Sequence, residues 1–202
     1  MTLADRLSAE IAARRDDLVS LCQDLIQIPT LNPPGENYRE ICEYLDRRLL
    51  KKGFHTELVR ALGAVGDSDK YPRWNIVARK EGARGGECVH FNSHIDIVEV
   101  GRGWTRDPFG GEVHDGKVYG RGACDMKGGL AASIIAAEAF IDICPGFAGA
   151  IEISGTADEE SGGFGGVAYL AEKGFFNPEK VQHVIIPEPL GHDCICLGHR
   201  GV

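Results

Sequence analysis

The chain has 202 residues, 43% of them hydrophobic, which is enough to bury a core and excludes a disordered chain. A formal net charge of -8 and a pI near 5.4, with no run of Lys or Arg, exclude a nucleic-acid-binding surface. Seven cysteines without paired spacing are expected as reduced thiols, and with no apolar leader and no stretch of membrane-spanning length the chain reads as cytoplasmic, without a membrane partner.

Hydrophobic periodicity predicts one amphipathic helix from about Leu3 to Ile26, a loop through PTLNPPGEN, and a helix from about Tyr38 to Lys51 with Tyr38, Ile41, Cys42, Leu45 and Leu49 on one face. After Gly53 the pattern shifts to short β-like runs at Phe54 to Val59, Trp74 to Arg79 and Cys88 to Asn92, with the polar excursion GAVGDSDKYPR among them. A Gly-rich section then covers Gly101 to Gly122. A helix from Met126 to Phe140, a strand from Gly149 to Gly155, a helix from Gly163 to Lys173 and a strand from Val181 to Pro187 follow, with another strand expected near Cys194. This alternation implies an α/β fold, a mixed sheet flanked by helices. The closing GHDCICLGHRGV offers no helix or polar tail to seal that sheet and is read as a break.

Acidic and histidine residues fall in four places: SHID at 93 to 96, CDMKGG at 124 to 129, DEESGG at 158 to 163 and PEP at 187 to 189. Each is read as the carboxyl end of a strand or the loop after it, where open α/β sheets collect ligands, so the four can converge. His94 and Asp96, two apart in an extended segment, point to one side; one can bind metal while the other supports it, or the two form a structural pair. Asp125, at the start of a helix, is an N-cap or a bridging carboxylate. Gly128 and Gly129 are costly early in a helix and imply a close backbone approach. In Asp158, Glu159 and Glu160, either the acids form a solvated loop, or one binds metal while its neighbour takes a proton from water. Glu188, held between Pro187 and Pro189, suits a rigid ligand or a strand-ending turn. One imidazole and several carboxylates form an oxygen-rich set for zinc, with cobalt or manganese as substitutes. Nucleotide binding is excluded, since GRGACD ends its glycine pattern in Asp and no phosphate-binding loop motif occurs.

In their order, SHIDIV, GWTRDPFGG, VYGRGACDMKGG, TADEESGG and PEP resemble the M20 metallopeptidase family, over roughly Leu18 to Val202. The resemblance implies a zinc-dependent exopeptidase-like catalytic domain holding two Zn2+ ions. His94 and Glu188 would hold one zinc, Glu160 the other, and Asp125 would bridge them, followed by a cis peptide to Met126. Asp96 would support His94, and Glu159 would be the general base. The substrate would be a small N-acyl amino acid or dipeptide, cleaved at an amide bond, with deacetylase or desuccinylase chemistry favoured over carboxypeptidase or dipeptidase chemistry. The resemblance also implies a lid and dimerisation domain and a late histidine ligand. Residues 1–202 are therefore read as the amino-terminal portion of the catalytic domain, truncated before the lid through which a longer parent would form a homodimer, and a non-catalytic fragment remains an alternative.

Overall fold

In the computed structural model of the chain, residues 1–191 and 195–196 are described. Helices α1 (Leu3–Ala13), α2 (Arg15–Ile26) and α3 (Tyr38–Lys51) precede strands β1 (His55–Arg60), β2 (Trp74–Glu81) and β3 (Arg84–His94). A hairpin of β4 (Glu112–His114) and β5 (Lys117–Tyr119) leads to α4 (Lys127–Ile143), β6 (Ala148–Thr156), α5 (Val167–Glu172) and β7 (His183–Ile185). The main sheet has the order β1-β2-β6-β3-β7. Its first two pairings are antiparallel and its last two parallel, so the expected mixed sheet is present.

The core lies between the sheet and the helices α2, α3 and α4, where Leu25, Ile41, Leu45, Ile134 and Ile153 are buried. The α3 face expected from periodicity is the buried one, with Tyr38, Ile41, Cys42, Leu45 and Leu49 all inside. The single long helix expected from Leu3 to Ile26 is two helices. The backbone breaks at Arg14 (φ -96, ψ 16), whose guanidinium pairs with Glu10 and with Asp142 of α4. Polar anchoring at the joint lets α1 lie against α4 while α2 turns into the core.

The Gly-rich section contains a hairpin. Asp115 and Gly116 both have positive φ, 49 and 72, the geometry of a two-residue hairpin turn, and they join β4 to β5. The helix expected from Gly163 begins only at Val167. Gly162 and Gly163 adopt left-handed backbone, and a Cβ on Gly166 would strike the Ala157 carbonyl. The strand expected near Cys194 lies outside the described residues. Cys22, Cys42, Cys88, Cys124 and Cys144 form no disulfide with one another.

Candidate metal centre

Parallel register gathers the site. His94 pairs with Thr156 across β3 and β6, so Asp96 and the run Asp158 to Glu160 leave adjacent strands at the same end. Phe91 pairs with Ile185 across β3 and β7, and each lies three residues before a candidate ligand, His94 or Glu188. Three of the four clusters thus follow main-sheet strands, whereas Asp125 follows the small hairpin and comes from the loop before α4.

His94 is 2% exposed. Its Nδ1 donates to the Asp96 carbonyl oxygen at 2.9 Å, which directs Nε2 outward, 2.9 Å from Asp125 Oδ1 and 3.7 Å from Glu188 Oε1. The support expected from Asp96 therefore reaches the imidazole through its backbone carbonyl as well as through its carboxylate, 3.5 Å from Nδ1. That carboxylate also accepts from the backbone N–H of Glu159 at 3.2 Å and of Glu160 at 3.1 Å, and from Asn32 Nδ2 at 2.7 Å. One residue orients both the histidine and the acidic turn.

Asp125 is not the N-cap that its position before a helix allowed. Met126 occupies that place without a side-chain cap bond, and the Asp125 carboxylate turns to His94. The Asp125–Met126 peptide is cis, as the family resemblance implies. Lys127 anchors the helix start, its buried Nζ donating to the carbonyls of Leu25 and Ile28 at 2.9 and 2.7 Å. The close approach inferred for the two glycines is present: a Cβ on Gly128 would meet the Ala123 carbonyl, and one on Gly129 the Pro187 carbonyl. Gly129 thereby lets α4 sit directly against the residue preceding Glu188.

Two groups of ligand atoms share His94, one with Asp125 and Glu188 and one with Glu159 and Glu160, each lying within 4.8 Å. Among the described residues, the ion pairs made by Asp125 and Glu188 are with His94 alone. Electrostatics register the crowding. Burial and the charges of Asp125 and Glu159 push Glu188 up to about 7 against the pull of His94. Burial and the charge of Asp125 also raise Glu160. Burial works against a charged His94, yet Asp96, Asp125 and Glu188 together raise it to about 9. Carboxylates that raise one another's pKa around an outward-facing imidazole nitrogen fit a divalent cation, and the mixture of oxygen and imidazole donors fits zinc.

Further polar residues hold this arrangement and were not singled out by sequence. Asn32 Nδ2 also donates to Ser161 Oγ at 2.9 Å. Asn75 closes the neck of the acidic loop, accepting from Ala157 N at 2.8 Å and donating to the Gly165 carbonyl at 2.9 Å. Asn32 sits in PTLNPPGEN, which periodicity marks only as a loop. Asn75 sits among strand residues, where one polar side chain gives no signal of its partners.

Comparisons with known proteins identify the family and the fold. The description "Peptidase family M20/M25/M40" matches residues 90–195. The chain is 36% identical over 192 residues to a succinyl-diaminopimelate desuccinylase of Acinetobacter baumannii, an alignment covering 92% of this chain and 47% of that protein. The chain thus spans about half the length of the curated relatives it matches. Human carnosine dipeptidase 1 shares the fold, with a TM-score of 0.75 at 22% identity over 91% of this chain and 41% of the other. The YXEP protein of Bacillus subtilis, described as a dinuclear metal binding peptidase, has a TM-score of 0.58 at 18% identity, covering 87% and 43%.

Proposed function

The chain belongs to peptidase family M20/M25/M40, matched over just over half its length, and from that premise we propose that it forms the metal-holding part of a hydrolase that cleaves the amide bond of an N-acyl amino acid. N-succinyl substrates are the first to test, given the desuccinylase relatives. The observation that carries the reading is the convergence of Asp125, Glu159, Glu160 and Glu188 on His94 within 4.8 Å in each of two groups.

In this reading His94 and Glu188 would hold one zinc ion and Glu160 the other, with Asp125 as the carboxylate shared between them; cobalt or manganese could substitute. The dinuclear description of the Bacillus subtilis neighbour supports two ions rather than one. Bound zinc supplies Lewis acidity, which polarises the acyl carbonyl and brings the pKa of water toward neutrality. Glu159 takes the proton from the attacking water and passes it to the departing amine. The Asp96 carbonyl holds His94 in the tautomer whose Nε2 is free to donate its lone pair. The lid and dimer contacts implied by the resemblance are assigned to the half of the relatives' length that this chain does not match. The free thiols fit a reducing, cytoplasmic setting.

The test is a hydrolysis assay with N-succinyl and N-acetyl amino acids and a dipeptide, run beside elemental analysis. Glu159→Gln should keep the zinc content of the unaltered protein and lose about 10²- to 10⁴-fold in turnover. Full activity in that variant would remove Glu159 from the role of base. Asp125→Ala should lower bound zinc. Dipeptide cleavage outpacing acyl cleavage would move the assignment to the exopeptidase alternative.

A further inference from the structure

Behind the acidic turn lies Arg73, 5% exposed, immediately before β2. Its Nε donates to Asp158 Oδ2 at 2.9 Å, and its Nη1 donates to the carbonyls of Pro34 at 2.7 Å and Tyr71 at 2.9 Å. The guanidinium carbon lies 5.6 Å from the centre of the Tyr38 ring, whose hydroxyl donates to Asp158 Oδ1 at 3.0 Å. Both oxygens of the Asp158 carboxylate are therefore engaged, and one arginine ties together the PTLNPPGEN loop, the polar excursion before β2 and the acidic turn.

Asp158 has left-handed backbone, φ 61 and ψ 21, and is the residue from which the turn Glu159–Ser161 begins. Asp tolerates this conformation better than most side chains, at some cost. The direction in which Glu159 and Glu160 leave the sheet depends on that kink. The Asp96 carboxylate accepts from the N–H groups of the same two residues. The surrounding backbone is shaped to admit the arginine. A Cβ on Gly35 or Gly66 would collide with the guanidinium, and a Cβ on Gly165 would collide with the Asp158 carboxylate and lie 2.6 Å from Arg73 Cγ.

We infer that Arg73 is a positioning residue for the acidic pair: through Asp158 it fixes the backbone from which Glu159 and Glu160 face His94, and so sets cation affinity. The inference rests on the two-metal reading proposed above. Its specificity lies in the fork of the guanidinium, which bonds a carboxylate and two carbonyls in different directions; a lysine ammonium carries the charge without that geometry.

The test is cobalt titration of the protein followed by visible absorption, with far-UV circular dichroism and thermal melting on the same samples. Arg73→Lys and Arg73→Met should keep the helical and strand signal yet bind cobalt about 10- to 100-fold more weakly, the range found when groups supporting a metal ligand are lost. Asp158→Gly, which relieves the left-handed backbone but removes the clamped carboxylate, should weaken binding as well. A folded Arg73→Lys or Asp158→Gly variant with unchanged cobalt affinity and spectrum overturns the inference, whatever its melting temperature. Should Arg73→Met fail to fold, Arg73→Lys carries the test alone. Absence of cobalt uptake by the unaltered protein refutes the two-metal reading and this inference with it; uptake that is indifferent to Arg73 refutes the inference alone.

Discussion

His90 and His94 lie on one strand, four residues apart, and each is 2% exposed. They nevertheless titrate in opposite directions. His90 has Ser154 Oγ at 2.8 Å from Nε2 and the Phe176 ring at 4.7 Å, and burial, with the charge of Arg79, pushes it down to about 4. Glu152 comes within 3.6 Å of His90 Nδ1, but its carboxylate also pairs with Arg79 at 3.2 Å. His94 is just as buried, yet Asp96, Asp125 and Glu188 overcome the burial and raise it to about 9. Burial alone yields a neutral, structural histidine. A ring of acids, one from its own segment and two delivered by other segments, yields a place for positive charge, which a divalent cation can take over from a proton.

The largest effect expected from this contrast is on metal content. His94→Ala should abolish zinc uptake measured by elemental analysis, while His90→Gln should leave it at the level of the unaltered protein. Equal losses in the two variants would break the distinction. A second effect concerns acid stability. His90 has its pKa depressed from 6.5 to about 4, so the folded state binds fewer protons than the unfolded one between those values. The stability it contributes is intact above pH 6.5 and falls as pH drops toward 4, by about 3 kcal/mol in all. Urea unfolding of the unaltered protein and of His90→Gln at pH 7 and pH 4.5 isolates this contribution, because the other titrating groups are common to both. The variant should gain on the unaltered protein at the lower pH; a constant gap would mean that His90 is charged when folded.

The same contrast explains what could be seen in the sequence. His90 and His94 are the same residue type in one β-like run, and only the company of SHID, CDMKGG, DEESGG and PEP singled out His94. That company was legible because each cluster keeps its chemistry within a few residues and the alternation of strand and helix implied a common sheet end. The face of α3 was legible for a similar reason, since a helix repeats its buried positions at fixed spacing. What links distant segments was not. Arg73, Tyr38 and Asn32 each bond to segments 39 to 129 residues away, besides the short bond of Arg73 to Tyr71, and no local pattern announces such long-range bonds. Tyr38 was legible as an apolar position on α3 but not as the donor to Asp158. The break at Arg14 has no signal in the sequence, because the helical pattern continues across it while its partner Asp142 lies in α4.

The smallest effect separates ligand from scaffold within the ring of acids itself. Glu188 stands three residues beyond a three-residue edge strand, partly exposed, and is pushed up to about 7 from 4.5 by partial burial and by its acidic neighbours. An acid raised in the folded state stabilises the fold when protonated and loses that advantage on ionising, so stability without metal should decline as pH rises from 4.5 through 7. Glu188→Gln removes the charge with little change of shape. Without metal, the variant should melt slightly above the unaltered protein at pH 8, and the gap should close as pH falls toward 4.5. With zinc added the order should reverse, because only the carboxylate can hold the ion, and binding to the folded state raises its stability by mass action. A variant less stable than the unaltered protein at pH 8 in the presence of chelator would show that Glu188 supports the fold by its own contacts. The reversal on adding zinc would show that its cost to the metal-free protein arises from the same crowding of acids that makes the site bind a cation.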